Sequence, residues 1–220
     1  MGIQPTIHGY ILSGMMPPFK RPLRDRIRTD QKTMTRRLRG LERVNKDPDG
    51  IKVAYQDGGG GWVFWGRDAP GLEEFTREAY TGGRGLRCQY QPGQYRALRE
   101  PLKRMGDFAV YADDEVPVVD AMTGELLRWR WKVNTLSQIF MPYEATRTIC
   151  RIVGHRPERL QEISEEDAYW EGCSPVDGVG LMEPRLCYRR GFKRLWESIH
   201  GEGSWEKNQW LWAITLERVR

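Results

Sequence analysis

The chain has 220 residues, of which 39% are hydrophobic and 30% charged, with a formal net charge of +5. This composition is typical of a soluble globular domain, and no apolar run approaches the roughly 18–20 residues that a membrane helix needs. The pI of about 9.1 permits a phosphate-bearing partner without demanding one.

The first third of the chain predicts strand, helix and strand in that order. Thr6 to Ser13 is short and apolar enough for a strand, and prolines break the chain after it. Leu23 to Leu41 suits a helix, or a helix followed by a turn, because its apolar residues fall near helical spacing. Asp47 to Gly50 predicts a turn, and Trp62 to Trp65 predicts a strand.

The rest of the chain changes from strands to helices and back to a strand. Ser164 and Asp167 are typical of the start of a helix that ends near Gly172, and Phe192 to Ile199 predicts a second helix. Strands are predicted at Gln94 to Arg99, Phe108 to Tyr111, Arg128 to Lys132, Ala145 to His155 and Trp210 to Val219. Many short strands with few helices predict an α+β chain, most naturally a small β-barrel plugged by helices.

Metal sites and disulfides are not predicted. The four cysteines show no C-x-x-C spacing, and three histidines are few for a zinc site. Residues Met1 to Lys20 lack a charged start followed by a clean apolar stretch, so we expect no secretory signal. We therefore expect reduced thiols, a cytoplasmic location, and neither metal nor cofactor.

Two segments suit nucleic acid but also have simpler interpretations. Lys20 to Arg43 is rich in arginine, which fits a solvated basic helix and a nucleic-acid face equally. Arg128 to Lys132 alternates cations with tryptophans, as single-stranded nucleic acid favours. An amphipathic strand with its aromatics inward is the simpler interpretation of that second segment.

Three segments, in order, resemble one family. They are Gln31-Lys-Thr-Met-Thr-Arg-Arg37, then Phe140 to Arg147 continued by Arg159 to Gly172, then Phe192 to Ile199 followed by Trp205 to Trp212. Together with Pro92-Gly93 and Leu98 to Pro101, they resemble phage and prophage ASCH-domain proteins. The resemblance implies a single ASCH/PUA-like domain over residues 1–220, a small barrel flanked by helices, with an insertion at about 57–87. It also implies a bacterial or phage-infected host cell.

The resemblance also implies an activity. Small amidohydrolases of this family cleave N4-acetylcytidine with a Lys, a Thr three residues later and a Glu in an acidic-Ala-x-x-Glu helix, positions that fall here on Lys32, Thr35 and Glu171. It thus implies a metal-independent hydrolase of N4-acylated cytosine nucleosides or a related modified base. Thr35 is expected to be the nucleophile, Lys32 the base, and Glu171 the proton donor or orienting acid. On a helix, Lys32 and Thr35 would face each other one turn apart.

Other residues and other functions remain open at this point. Candidate substrate-binding residues are Arg37, Arg99, Glu100, Arg147 and Trp170, although Arg99 and Glu100 also suit a structural ion pair. Asp30 departs from the family's frequent Gly, and the chain is about twice as long as the small enzymes, which leaves the substrate in question. The alternatives are a non-catalytic RNA- or DNA-binding module and a solvated surface role for the three catalytic candidates. The sequence decides neither the acyl group nor the oligomeric state.

Overall fold

The computed structural model describes residues 5–56, 61–66, 85–177 and 186–220. They confirm the α+β class. The helices are α1 (Arg21–Arg28), α2 (Glu165–Trp170) and α3 (Tyr188–His200). The strands are β1 (Thr6–Ile7), β2 (Tyr10–Met15), β3 (Met34–Arg37), β4 (Ile51–Gln56), β5 (Trp62–Gly66), β6 (Tyr95–Ala97), β7 (Leu102–Met105), β8 (Phe108–Tyr111), β9 (Thr135–Leu136), β10 (Ile149–Arg159), β11 (Val176–Asp177), β12 (Leu186–Cys187) and β13 (Trp210–Arg218).

The largest sheet has the strand order β1-β2-β6-β10-β13-β3. Its neighbours β2 and β6 run parallel, whereas β3 runs antiparallel to β13. Separate sheets are formed by β4-β5, by β11-β12 and by β8-β7-β9. Among the described strands the largest sheet therefore has two edges, β1 and β3, so closure into a barrel stays a prediction.

The chain divides into two compact units. Unit 1 comprises Met1–Thr33, Pro92–Val153 and Leu216–Arg220, and unit 2 comprises Met34–Gln91 and Gly154–Thr215. Most of the predicted insertion at 57–87 lies outside the described residues. In the part of the chain that the structure describes, none of the helices has the length and apolarity needed to cross a membrane.

Unit 1 begins with a tight hairpin rather than the single strand predicted at Thr6 to Ser13. His8 and Gly9 both have positive φ angles, 50° and 83°, and join β1 to β2. Two such residues in sequence are what a two-residue hairpin turn needs, and glycine adopts this conformation without strain.

The predicted strand at Arg128 to Lys132 does not form. This segment joins β8 through a bridge between Phe108 and Arg128. Trp129 and Trp131 are partly buried against a core cluster that includes Leu102 and Tyr111. The inward orientation of the tryptophans agrees with the simpler interpretation of this segment.

Unit 2 is built on a core between β13 and the last two helices. Leu211, Phe192 and Trp196 are buried in one cluster with residues of α2 and the turn before it. Ser164 accepts a hydrogen bond from the Asp167 backbone N–H at 3.0 Å, so the predicted N-cap of α2 is confirmed.

The prediction of a helix from Leu23 to Leu41 is wrong in its second half. Helix α1 ends at Arg28, and Asp30 adopts a positive φ of 59°, which is incompatible with a continuing helix. The chain then enters β3, which pairs with β13 from Met34 to Arg37. A long-range strand partner thus overrides the local helical pattern.

Candidate functional site

The register between β3 and β13 sorts the candidate residues onto two faces. Thr35 lies opposite Ile214 and Arg37 opposite Trp212, whereas Arg36 lies opposite Ala213. Residues directly opposite each other on paired strands share a face, and neighbours along a strand alternate between faces. Thr35 and Arg37 therefore share a face with Trp212, and Arg36 projects to the other side.

The side to which Arg36 projects is called the helix face. Leu211, two residues before Ala213, packs there with Phe192 and Trp196 of α3. The Arg36 guanidinium lies 5.6 Å from the centre of the Phe192 ring. The helices thus shield this guanidinium from water.

Arg36 is surrounded by three carboxylates. Its side chain is 1% exposed and donates to Glu158 Oε1 at 2.7 Å, Asp167 Oδ2 at 2.7 Å and Glu171 Oε1 at 3.1 Å. Burial alone would lower the pKa of Arg36, but the charges of Glu171 and Glu158 outweigh it and raise the pKa. The guanidinium is therefore permanently charged and fully engaged.

Three separate elements supply the carboxylates. Glu158 lies near the end of β10, Asp167 lies within α2, and Glu171 is the C-cap residue of α2. Half-exposed Arg156 also pairs with Asp167, and with Glu158 at 2.9 Å. The cluster ties β3, β10 and α2 together.

The three catalytic candidates are all buried. Lys32 and Thr35 are each 3% exposed and Glu171 is 4% exposed. The interpretation of these residues as a solvated basic surface is therefore wrong. The expected helical spacing of Lys32 and Thr35 is also wrong, because Lys32 precedes β3 and Thr35 lies within it.

Lys32 and Glu171 have neighbours that limit their chemistry. The Lys32 ammonium nitrogen lies 5.7 Å from the centre of the Phe19 ring. Glu171 accepts from Arg36 on the helix face, whereas alternation places Thr35 on the opposite face. The charge of Glu171 also acts to raise the pKa of Arg37, which shares the face of Thr35. Glu171 thus lies close to β3, and it acts as an acceptor rather than as a free acid.

The opposite side of these strands is called the aromatic face. Ring centres of His155 and Trp212 are 5.6 Å apart, and those of His155 and Trp62 are 6.5 Å apart. Phe64 packs edge-to-face against Trp212 at 6.2 Å. Arg37, which is partly buried, lies opposite Trp212, and its burial lowers its pKa although Tyr90 and Glu171 oppose the shift. The aromatic face therefore holds planar rings next to a partly buried cation.

The candidate Trp170 lies at the end of α2. It is partly buried, and its ring centre is 4.8 Å from that of exposed Tyr169. It is near Glu171 in sequence, and a role for it in substrate binding stays a prediction.

Two further candidates, Glu100 and Arg147, lie in unit 1 and bind each other. Arg147 donates to Glu100 Oε2 at 2.9 Å and to Oε1 at 2.6 Å. Arg28 also donates to Glu100 Oε1 at 3.0 Å, and Asp114 accepts from both arginines. Glu100 is 0% exposed. Its charge is therefore balanced within the protein.

Arg99 does not pair with Glu100 as the sequence suggested. Its Nε donates to the Met16 carbonyl oxygen at 3.0 Å, and its Nη1 donates to the Ile139 carbonyl oxygen. The guanidinium thus joins two loops of unit 1. A structural role accounts for these contacts.

The basic segment from Lys20 to Arg43 is not a free cationic face. Arg24 pairs with Asp113 at 2.7 Å, and Arg28 pairs with Glu100 and Asp114. Arg36 is enclosed by carboxylates. Internal ion pairing accounts for much of the arginine in this segment.

Sequence reasoning missed Arg36 and His155. The signal for Arg36 was the alternation along β10, where Arg156 and Glu158 occupy one face and His155 the other. Alternation along β10 does not locate Arg36 by itself, because the pairing of β3 with β13 must also be known.

No group of residues suited to a metal ion occurs in the described ranges, and all four cysteines are free thiols. Comparisons of the chain with protein-family models, with curated proteins and with solved structures found no match.

Proposed function

We propose that the chain is a metal-independent amidohydrolase of the bacterial or phage-infected cytoplasm, with an ASCH-like barrel, that removes the acyl group from N4-acylated cytosine nucleosides or a related modified base. The observation that carries the proposal is the burial of Lys32, Thr35 and Glu171. Lysine and glutamate are among the residues least often fully buried, so their burial supports a functional role.

The proposed reaction is acyl transfer to Thr35 followed by hydrolysis. The Thr35 hydroxyl attacks the acyl carbonyl carbon while the Lys32 amine accepts its proton. The bond from the carbonyl carbon to N4 then breaks, and N4 takes up the proton held by the Lys32 ammonium, which releases cytidine. Water cleaves the resulting ester, which restores Thr35 and releases the carboxylic acid.

Chain connectivity and the Arg36 cluster support these roles. Lys32 and Thr35 are three residues apart, so their Cα atoms are at most about 11 Å apart. Arg36 fixes the orientation of the Glu171 carboxylate through a 3.1 Å contact. We therefore assign Glu171 the orienting role rather than that of proton donor.

The test is cytidine release from N4-acetylcytidine, followed by absorbance. We expect release by the wild-type protein and loss of about 10² to 10⁴ in rate for Lys32→Ala and for Thr35→Val, the range that general-base groups contribute. Exposed Lys20→Ala and Thr29→Val are the matched controls and should retain activity. Release that persists in folded Lys32→Ala and Thr35→Val would refute the assignment, and no release by wild type would refute the reaction.

Nucleic-acid binding is the second candidate, and one observation favours it. Arg128, Arg130 and Lys132 are exposed while Trp129 and Trp131 lie between them, partly buried. Such a row of cations predicts binding to single-stranded RNA that weakens steeply with salt. Titrating the protein with single-stranded RNA at two salt concentrations tests this candidate, with the double variant Arg128→Gln/Lys132→Gln for comparison. Salt-independent or absent binding would contradict it.

A further inference from the structure

Helix α1 ends in a Schellman motif that has an aspartate where glycine is usual. The Gln31 backbone N–H donates to the Arg26 carbonyl oxygen at 2.8 Å. The Asp30 backbone N–H donates to the Ile27 carbonyl oxygen at 3.3 Å, and Asp30 takes the left-handed conformation of this motif with a φ of 59°. Glycine adopts that conformation without strain, whereas a residue with a Cβ atom does not. The turn alone would therefore favour glycine over aspartate.

The Asp30 carboxylate is held by the last residue of β13. Arg218 Nε donates to Asp30 Oδ1 at 2.9 Å, and Arg218 Nη2 donates to Asp30 Oδ2 at 2.5 Å. Two such bonds fix the orientation of a carboxylate more closely than one bond does. The Asp30 side chain is 52% exposed and that of Arg218 is 34% exposed, so their ion pair contributes little to stability. Stability of the fold alone therefore does not explain the aspartate.

A second contact ties the same turn to β13. The Leu216 backbone N–H donates to the Thr33 carbonyl oxygen at 2.7 Å, and Leu216 lies two residues before Arg218 on the strand. Lys32 lies between this contact and the Asp30 ion pair. Its own backbone N–H donates to the end of α1 at 3.0 Å. The backbone of Lys32 is therefore fixed from both sides against one strand.

The fixed backbone determines where the Lys32 ammonium lies. The Lys32 side chain is 3% exposed, and its nitrogen lies 5.7 Å from the centre of the Phe19 ring. A general base must come within about 2.6–3.2 Å of the atom whose proton it accepts. A misplacement of about 1 Å can lower the rate of an enzyme about 10²-fold. The position of this turn is therefore a quantity to which general-base catalysis is sensitive.

We propose that Asp30 is a positioning residue, which holds Lys32 in place for catalysis by binding Arg218. The inference rests on the proposed function, because that function assigns Lys32 as the base. Asp30 acts through Arg218 and the turn, and it takes no part in proton transfer. The strained conformation of Asp30 and its bidentate ion pair are both explained by this role.

The first test compares catalysis with stability in Asp30→Gly. This variant removes the carboxylate and relaxes the left-handed turn, so its melting temperature should equal or exceed that of the wild type. We expect kcat for N4-acetylcytidine to fall about 10-fold with little change in KM, because Lys32 acts in the chemical step. Arg218→Gln should lower kcat similarly, and the double variant should show no further fall, because each substitution removes the same ion pair. An unchanged kcat in Asp30→Gly would overturn the inference.

Glu217→Gln is the matched control. Glu217 precedes Arg218 on β13 and forms an exposed ion pair with Arg151. This substitution also removes one carboxylate from an exposed arginine pair, but it leaves the Asp30 turn intact, so kcat should be unchanged. A fall in kcat equal to that of Asp30→Gly would assign the effect to surface charge and would overturn the inference.

NMR of protein with isotope-labelled lysine Cε atoms tests the position of Lys32 without any substrate. The Lys32 signal is the one that is missing from Lys32→Arg. We expect Asp30→Gly and Arg218→Gln to shift this signal and Glu217→Gln to leave it in place. An unmoved signal in the first two variants would overturn the inference, whatever the turnover of the wild type.

The NMR measurement separates failure of the positioning role from failure of the reaction. A shifted Lys32 signal without hydrolysis of any N4-acylated nucleoside by the wild type would refute the reaction and support the tether. Normal turnover by Asp30→Gly with an unmoved Lys32 signal would refute the positioning role and leave the reaction standing.

Discussion

The two faces of the β3–β13 strand pair differ in whether their buried polar groups have partners. On the helix face, Arg36 meets three carboxylates, so its charge and donors are matched within the chain. On the aromatic face, buried Trp212 Nε1 has no hydrogen-bond partner, and burial lowers the pKa of His155 despite a hydrogen bond with the Tyr90 backbone. A matched buried group has its charge compensated within the chain, whereas an unmatched one costs stability. The two faces therefore differ in how fully their buried polar groups are paired, within a few residues of sequence.

Removal of Arg36 is expected to have the largest effect on the helix face. Arg36→Met leaves three carboxylates close together without their shared cation, so we expect unfolding free energy to fall by about 3–5 kcal/mol. Urea denaturation followed by circular dichroism measures this change. A loss below about 1 kcal/mol would contradict a structural role for the cluster.

Arg156→Met is the control for the same cluster. Arg156 pairs with Asp167 and Glu158 but is half-exposed. An exposed ion pair contributes about 0–1 kcal/mol, so this variant should remain nearly as stable as the wild type. A similar loss for both variants would mean that charge number, and not burial, determines the effect.

Unit 1 contains a buried ion cluster of the opposite kind, in which one carboxylate is held by arginines. Glu100 is a buried carboxylate held by Arg28 and Arg147, with Asp114 bridging the two arginines. Glu100→Gln keeps the side-chain shape but leaves two guanidinium groups undercompensated, and we expect a loss of about 2–4 kcal/mol. Differential scanning calorimetry measures it. Unchanged stability would show that Asp114 alone balances both arginines.

Local patterns predicted the elements whose signals are local. The helix cap at Ser164 and the apolar period of α3 both lie within a few residues, and both helices form where expected. Strand β3 was mistaken for helix because its stability comes from β13, almost the whole chain away. The helix or strand propensity of a short sequence segment carries no information about such a distant partner.

Prediction of the candidate site from the sequence is limited in the same way. Lys32, Thr35 and Glu171 could be selected from spacing and resemblance, but their burial could not be read from the sequence. The partners of Arg36 are 122 residues away at Glu158 and 135 away at Glu171, so its role depends on tertiary structure. The pairing of Glu100 with Arg147, rather than with neighbouring Arg99, has the same cause.

On the aromatic face, stability should depend on pH through His155. Burial lowers the pKa of His155, so the unfolded chain takes up its proton first as pH falls below about 6.5. Stability from keeping His155 neutral is therefore present above that pH and is lost on acidification. We expect the stability of His155→Phe relative to the wild type to increase from pH 7 to pH 5, measured as the difference in free energy of unfolding. A constant difference across this range would contradict burial of a neutral His155.

The smallest expected effect concerns the helix face, where α2 holds the start of α3. Glu165 Oε2 accepts from the Tyr188 backbone N–H at 2.7 Å and from that of Arg189 at 3.2 Å. Slight burial would raise the pKa of Glu165, but its hydrogen bonds from Cys187 and these two N–H groups lower it. The stabilisation is therefore present above about pH 4.5 and is lost as pH falls through the lowered pKa.

Because Glu165 is exposed, Glu165→Gln should cost only about 0.5–1 kcal/mol at pH 7, within the range of helix capping. The difference from the wild type should shrink as the pH approaches 3, since protonated Glu165 resembles glutamine. Neighbouring Glu166→Gln, which also lies in the first turn of α2, is the matched control and should show a smaller loss. Thermal melts of both variants at pH 7 and 3 measure these differences. Equal losses for the two variants would assign the effect to the α2 dipole rather than to capping of α3.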